Sequence, residues 1–202
     1  MKKGLAILLD NGHGKETPGK RSPRWKDGSQ LFEWEFNRSI VSRLITLLAE
    51  NYIPFEIVTP EDTDIPLEER VRRANKFCCK YGKNNCLLVS IHANAGGGSG
   101  WEAWTSIGNT DSDTYATLFY EEARKYFAGW KIRQDTSDGD PDKENNFYIL
   151  KHTLCPAVLT ENFFMDTEKD CRFLMSREGR DKIANMHLSA ISKCVELHKK
   201  NE

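Results

Sequence analysis

Two histidines in this chain each stand at the end of an apolar run, beside residues small enough for the backbone to turn sharply. His13 closes Leu5-Ala6-Ile7-Leu8-Leu9-Asp10-Asn11-Gly12, and His92 closes Leu87-Leu88-Val89-Ser90-Ile91 ahead of Ala93-Asn94-Ala95. A third apolar run, Pro156-Ala157-Val158-Leu159-Thr160, delivers Glu161. Short apolar runs bounded by turn residues read as buried strands. In an open α/β sheet, groups beyond the carboxyl ends of the strands face a common crevice. Two neutral imidazoles and one carboxylate suit a catalytic zinc shell with a position left for water, and a nearby glutamate can move the proton that hydrolysis requires. His13 and His92 are therefore the candidate imidazole ligands and Glu161 the candidate base. The bland alternative for Glu161 is a cap on the following turn. A buried carboxylate in that place is costly unless it opens onto a crevice or is paired.

The third ligand is expected near the start of the first helix, where Glu33 and Glu35 compete. One helix carries both, pointing to different sides. Glu33 sits one turn before Phe36 and Asn37 on the inward side, and Glu35 lies nearer the polar face with Arg38 and Ser42. That favours Glu33 without excluding Glu35. His152, His187 and His198 lie in helical or loop contexts without small neighbours and are expected to be packing or surface residues.

Apolar runs alternate with amphipathic stretches, the pattern of an α/β domain with a mainly parallel, twisted sheet and helices on both faces. Helices are expected over residues 33–50, where Phe36, Ile40, Leu44 and Leu48 recur at helical spacing, and from Pro66 to about Gly82. Further helices are expected over 112–128 and, after Asp166, in two segments of which the last spans about 177–199. Strands are expected over 53–58, 86–91 and 101–107, and the polar stretch 134–146 is expected to be a surface loop. With 202 residues, 39% of them hydrophobic, and no repeat or linker, one domain over residues 1–202 is expected. The formal net charge of −1 lacks the basic excess of a nucleic-acid binder. No apolar run approaches the roughly 18 residues of a membrane span, so no membrane insertion is expected. The start, Met1-Lys2-Lys3 followed by apolar residues, imitates an export signal. Its apolar stretch, however, ends at Asp10 without a small-residue cleavage site, and it is expected to be the first core strand. The six cysteines form no CxxC pair and are expected to be reduced and structural.

These residues resemble the zinc-dependent N-acetylmuramoyl-L-alanine amidases of the type 3 family, over nearly the whole chain. Asp10-Asn11-Gly12-His13-Gly14 is similar to the first-histidine motif of that family, and Glu33-Trp34-Glu35-Phe36-Asn37 to its Glu-x-x-x-Asn signature, whose glutamate binds zinc. Arg70-Val71-Arg72-Arg73-Ala74-Asn75 resembles its Arg-x-x-x-Ala-Asn helix, and Ser90-Ile91-His92-Ala93-Asn94-Ala95 its second-histidine strand. Gly100-Trp101-Glu102 stands where the family has Gly-x-Glu, and Pro156 to Phe164 resembles the motif bearing the catalytic glutamate. The resemblance implies Zn²⁺ held by His13, Glu33 and His92, Glu161 as catalytic residue, and peptidoglycan as substrate. With no linker or second compositional block, no separate wall-binding domain is expected in this chain. Synthesis in the cytoplasm and action at the bacterial wall after release or export are expected. The rival expectations are a zinc peptidase of related fold and a non-catalytic wall-binding relative. Two departures stand out: Asn162-Phe163 replaces the usual glycine before an aromatic, and the Lys-, Arg- and Pro-rich loop Gly14–Gln30 has no clear counterpart.

Overall fold

The computed structural model describes residues 4–201. Six strands and six helices follow one another as β1 (Ala6–Asn11), α1 (Glu33–Glu50), β2 (Phe55–Ile57), α2 (Leu67–Tyr81), β3 (Cys86–Asn94), β4 (Glu102–Thr105), α3 (Asp111–Tyr126), β5 (Lys143–Glu144), α4 (Tyr148–His152), β6 (Ala157–Phe164), α5 (Glu168–Met175) and α6 (Arg177–Asn201). The strands form one sheet in the order β2-β1-β3-β6-β4-β5. The first four in that order are mutually parallel, while β4 runs antiparallel to β6 and carries β5 parallel to itself.

Strand alternation divides the core into two layers. Ile7, Leu9, Leu87, Val89, Ile91 and Val158 pack against α1, α3, α5 and α6, while Ala6, Leu8, Leu88, Ala157 and Leu159 face α2 and α4. A strand with both faces covered needs apolar residues at every position, which is why β1 and β3 read as unbroken apolar runs. Helices therefore lie on both faces, as expected. From β1 the chain passes to β2 on one side, and from β3 it moves on to β4 and β6 on the other. The gap between the carboxyl ends of β1 and β3 is thus the switch point where such sheets open a crevice.

Local departures from expectation are short elements. The second strand is three residues long, although Ile7 N–H still reaches the Pro54 carbonyl and Val58 N–H the Leu9 carbonyl. The expected loop at 134–146 contains β5 and the buried Asp142, and helix α4 was not anticipated. Among the described residues no helix is long and apolar enough to cross a membrane. All six cysteines are free, and only Cys79 is exposed.

His187 is a packing residue. Its fully buried ring donates through Nδ1 to the Ile183 carbonyl at 2.8 Å and accepts the Thr160 hydroxyl at Nε2, 2.9 Å away. Burial pushes its pKa from 6.5 down to about 4, against the Ile183 hydrogen bond. Between those values the unfolded chain binds a proton that the native state refuses, so stability falls as pH drops through this window. Urea unfolding at pH 7 and pH 5 should therefore show a steeper loss for the wild type than for His187→Gln. Equal pH slopes in the two proteins would contradict this assignment.

Candidate active site

β1 and β3 run in register, Asp10 beside Ser90 and Asn11 beside Ile91, so the residues that follow leave the sheet together. Gly12 lets the two imidazoles meet: a Cβ there would fall 2.2 Å from the His92 ring. At Gly14 it would fall 2.0 Å from the Asp64 backbone. His13 has a φ of 61°, in the left-handed region, at a cost of roughly 1–3 kcal/mol. Its loop is held by its carbonyls. Asn37 donates to Gly12 O at 2.9 Å, Arg38 to His13 O at 3.1 Å, and Arg70 to Asn11 O at 2.6 Å and His13 O at 3.2 Å. Arg70 is itself buried and paired with Asp10 at 2.9 Å; Asp10 in turn accepts the Ser90 hydroxyl at 2.7 Å. The roles of Arg38 and Arg70 were not read from the sequence.

Glu33 comes from the first turn of α1 and is 1% exposed. Its Oε1 lies 3.3 Å from His13 Nε2 and 3.1 Å from His92 Nδ1, and also accepts the Ala93 N–H at 3.2 Å. The two rings stand edge to face with centroids 4.9 Å apart. One ligand atom from each of the three residues falls within 4.8 Å of the others. A tetrahedral zinc with N and O ligands has ligand–ligand edges of roughly 3.3–3.4 Å, so two of these spacings lie close to the fit. Glu33 Oε2 is enclosed without a hydrogen-bond partner, with Lys20 Nζ 3.9 Å away. Glu35, by contrast, forms a bidentate pair with Arg180 at 2.6 and 2.8 Å. The structure brings Glu33 to the imidazoles and Glu35 to the surface.

Burial alone would raise the Glu33 carboxyl, but the hydrogen bonds and charges of His13 and His92 hold it well below the usual carboxylate range. For His13, burial outweighs Glu33 and lowers the pKa. For His92, Glu33, helped by Glu161 and Asp10, outweighs burial and raises it.

Glu161 sits in β6 between His92 of β3 and Glu102 of β4, its register neighbours on either side. One of its carboxylate oxygens, Oε2, is enclosed and lacks a hydrogen-bond partner. Burial pushes the carboxyl up to about 8, reinforced by Glu33 and Glu102 and opposed by His92. Glu102 is kept ionised by Lys143 and Arg133, which outweigh its burial. Just beyond Glu161 the register with β3 slips, so that Asn162 and Phe163 form a bulge opposite Ala93. Phe163 has a φ of 62°, in the left-handed region that favours glycine. Asn162 fastens the bulge, donating to His92 O at 3.0 Å and accepting the Trp101 indole N–H at 3.0 Å.

A cleft of about 390 Å³ opens beside His13 and His92, walled by Asp64, Ile65, Pro66, Leu67, Arg70 and Ile149. Across the His13 loop, a smaller cavity of about 270 Å³ is lined by Lys15, Lys20, Arg21, Phe32 and Trp34, so the unassigned basic loop forms one wall of the site region. A cavity of similar size to the first, at the amino ends of β3 and β6, adjoins no metal-capable cluster among the described residues.

Residues 7–193 match the family model described as N-acetylmuramoyl-L-alanine amidase. The chain belongs to the N-acetylmuramoyl-L-alanine amidase family. It is 28% identical to the N-acetylmuramoyl-L-alanine amidase CwlM of Bacillus licheniformis over 196 residues, which cover 96% of this chain and 70% of that one. It is also 28% identical to the endolysin of Bacillus phage SPP1, over 96% of this chain and 68% of that one. Among solved structures, the N-acetylmuramoyl-L-alanine amidase from Clostridium difficile 630 has the same fold, with a TM-score of 0.80 at 24% identity over 96% of this chain and 98% of that one. The catalytic domain of CwlV from Bacillus (Paenibacillus) polymyxa gives 0.75 at 23% identity, covering 95% and 98%.

In this amidase the two glutamates of α1 are separable by experiment. Glu33→Ala should lower zinc occupancy after dialysis sharply, and Glu35→Ala should leave it near wild type; the reverse result would misplace the third ligand. Gly12→Ala should displace the His92 ring and lower zinc affinity about tenfold or more, the scale of a disturbed ligand orientation. Zinc titration monitored by competition with a chromophoric chelator measures both.

Proposed function

We propose that this amidase is zinc-dependent and hydrolyses the amide between N-acetylmuramic acid and L-alanine in peptidoglycan, with His13, Glu33 and His92 holding the metal and Glu161 moving the proton. The observation that carries this reading is one Glu33 oxygen 3.1–3.3 Å from two imidazole nitrogens, beside a second glutamate, Glu161, whose enclosed Oε2 has no hydrogen-bond partner. A two-nitrogen, one-oxygen donor set suits zinc, and zinc bound there would supply Lewis acidity toward water and the scissile carbonyl.

The chain's own groups set the rest. Glu33, ionised and buried, gives the cluster the negative charge that favours a dication. His92 Nδ1 and His13 Nε2 face it from two strands, and the carbonyl clamp on residues 11–13 keeps His13 from drifting. Glu161 lies on the neighbouring strand, where its carboxylate accepts the proton of the attacking water and returns it to the leaving amide nitrogen. Its raised pKa matches this shuttle, because a carboxyl held protonated without the metal becomes a base when a positive charge arrives close by. The cell wall as place of action follows from the substrate, and the endolysin among the relatives supports it.

Replacement of Glu161 by Gln tests the division of roles. Zinc content and the melting temperature should stay near wild type, while turnover on purified peptidoglycan falls by on the order of 10²–10⁴. The variant should still sediment with the wall. Near-normal lysis would remove Glu161 from the chemistry, and loss of zinc would put it in the metal shell. Mass analysis of the wild-type products should show free stem peptides and intact glycan, which separates an amidase from a peptidase.

A further inference from the structure

Away from the crevice, the stretch leading into β5 holds an arrangement that the amidase chemistry does not use. Asp138, Asp140 and Asp142 alternate along it. Asp142 is 1% exposed. Its Oδ2 accepts the Thr105 hydroxyl at 2.7 Å, but its Oδ1 is enclosed without a hydrogen-bond partner, and so is Oδ1 of Asp140. The two carboxylates lie against each other: burial, then Asp140, pushes the Asp142 carboxyl up to about 8, against the Thr105 hydrogen bond. Asp113, whose charge adds to theirs, is committed to capping α3, accepting the Thr110 N–H at 2.6 Å and its hydroxyl at 3.1 Å. Lys143, the adjacent cation, turns away to Glu102 at 3.0 Å. Among the described residues no Lys, Arg or His forms an ion pair with Asp140 or Asp142.

Two carboxylates packed together with buried oxygens must either share a proton or hold a positive charge between them. Hard divalent cations satisfy such oxygens, completing their shell from carbonyls and water. We propose that Asp140 and Asp142 form a structural site for a calcium-type divalent cation, separate from the His–Glu–His cluster. Such a cation would pin the start of β5, a strand of only two residues. Its first residue, Lys143, neutralises Glu102, the register neighbour of Glu161. The site therefore stiffens the outer wall of the crevice without touching the reacting atoms.

The test uses zinc-loaded full-length protein with Ca²⁺ added at constant zinc, read by melting temperature, and Tb³⁺ as a luminescent probe sensitised by Trp104, whose ring lies 4.7 Å from Lys143 Nζ. A rise of about 3–6 °C is expected at a tenfold excess of Ca²⁺ over its Kd, with Tb³⁺ luminescence displaced by Ca²⁺. Asp140→Asn and Asp142→Asn should each weaken both signals at least tenfold with zinc content unchanged. Asp140 is only partly buried, so its variant keeps the test decisive if Asp142→Asn fails to fold. Absence of a calcium response in the wild type overturns the proposal, as does a response that survives in Asp140→Asn. If the pair shares a proton instead, the wild type ignores Ca²⁺ and Asp140→Asn melts higher than the wild type at pH 9; that outcome also overturns it.

Discussion

A single buried guanidinium holds the crevice open. Arg70 spends its donors on Asp10, on the Asn11 and His13 carbonyls and, through Nε, on Ile65 O at 2.7 Å. Those bonds tie α2 to the end of β1 and to the segment entering α2, and they stabilise a left-handed histidine that would otherwise relax. Removing one partner of a buried pair strands the other charge, typically at a cost of about 3–5 kcal/mol. The planar fork reaches several acceptors at fixed angles, which a lysine cannot reproduce. Ring positions at His13 and His92, and hence the fit to a metal, depend on this helix-to-loop fastening.

Around that clamp, two glutamates of the same chemistry are driven in opposite directions. Glu33 is buried among donors and imidazoles and stays ionised. Glu161 is half-buried beside His92, Glu33 and Glu102, with one oxygen partnerless, and is pushed toward the neutral form. Pairs of carboxyls split in this way divide into a charge-holder and a proton carrier. The sheet creates the split: β4 places Glu102 on one side of Glu161, while β3 places His92 on the other.

How much of this could be read from the chain differs by residue. β1, β3 and β6 were legible because double-sided burial leaves continuous apolar runs, α1 because its inward residues recur at helical spacing, and α2 because Pro66 and Gly82 mark its ends. Glu33 stood out from Glu35 through its nearness to Phe36 and Asn37, but the partner that removes Glu35, Arg180, lies 145 residues away. Arg38 and Arg70 were opaque for a related reason. Long cationic side chains on amphipathic helices usually face water, and their acceptors here are backbone carbonyls that no residue type advertises. The reversed β4 and the two-residue β5 rest on pairings between distant segments, without periodicity of their own. The strained turn after Glu161 was visible only as a departure from the family motif.

That turn ties the crevice to the packing behind it. Phe163 occupies a backbone conformation natural to glycine, yet its ring is fully buried among Phe127, Trp130 and Phe173, with centroids 5.0–5.1 Å away. A glycine at position 163 would relax the backbone but leave a hole the size of a benzene ring, and truncating core phenylalanines typically costs about 3–5 kcal/mol. The strained backbone is therefore offset by ring packing, and relieving one loses the other unless the surrounding rings are replaced as well. The bulge that aims Glu161 is held in place by a packing solution on the far side of the strand, and the two can drift only together.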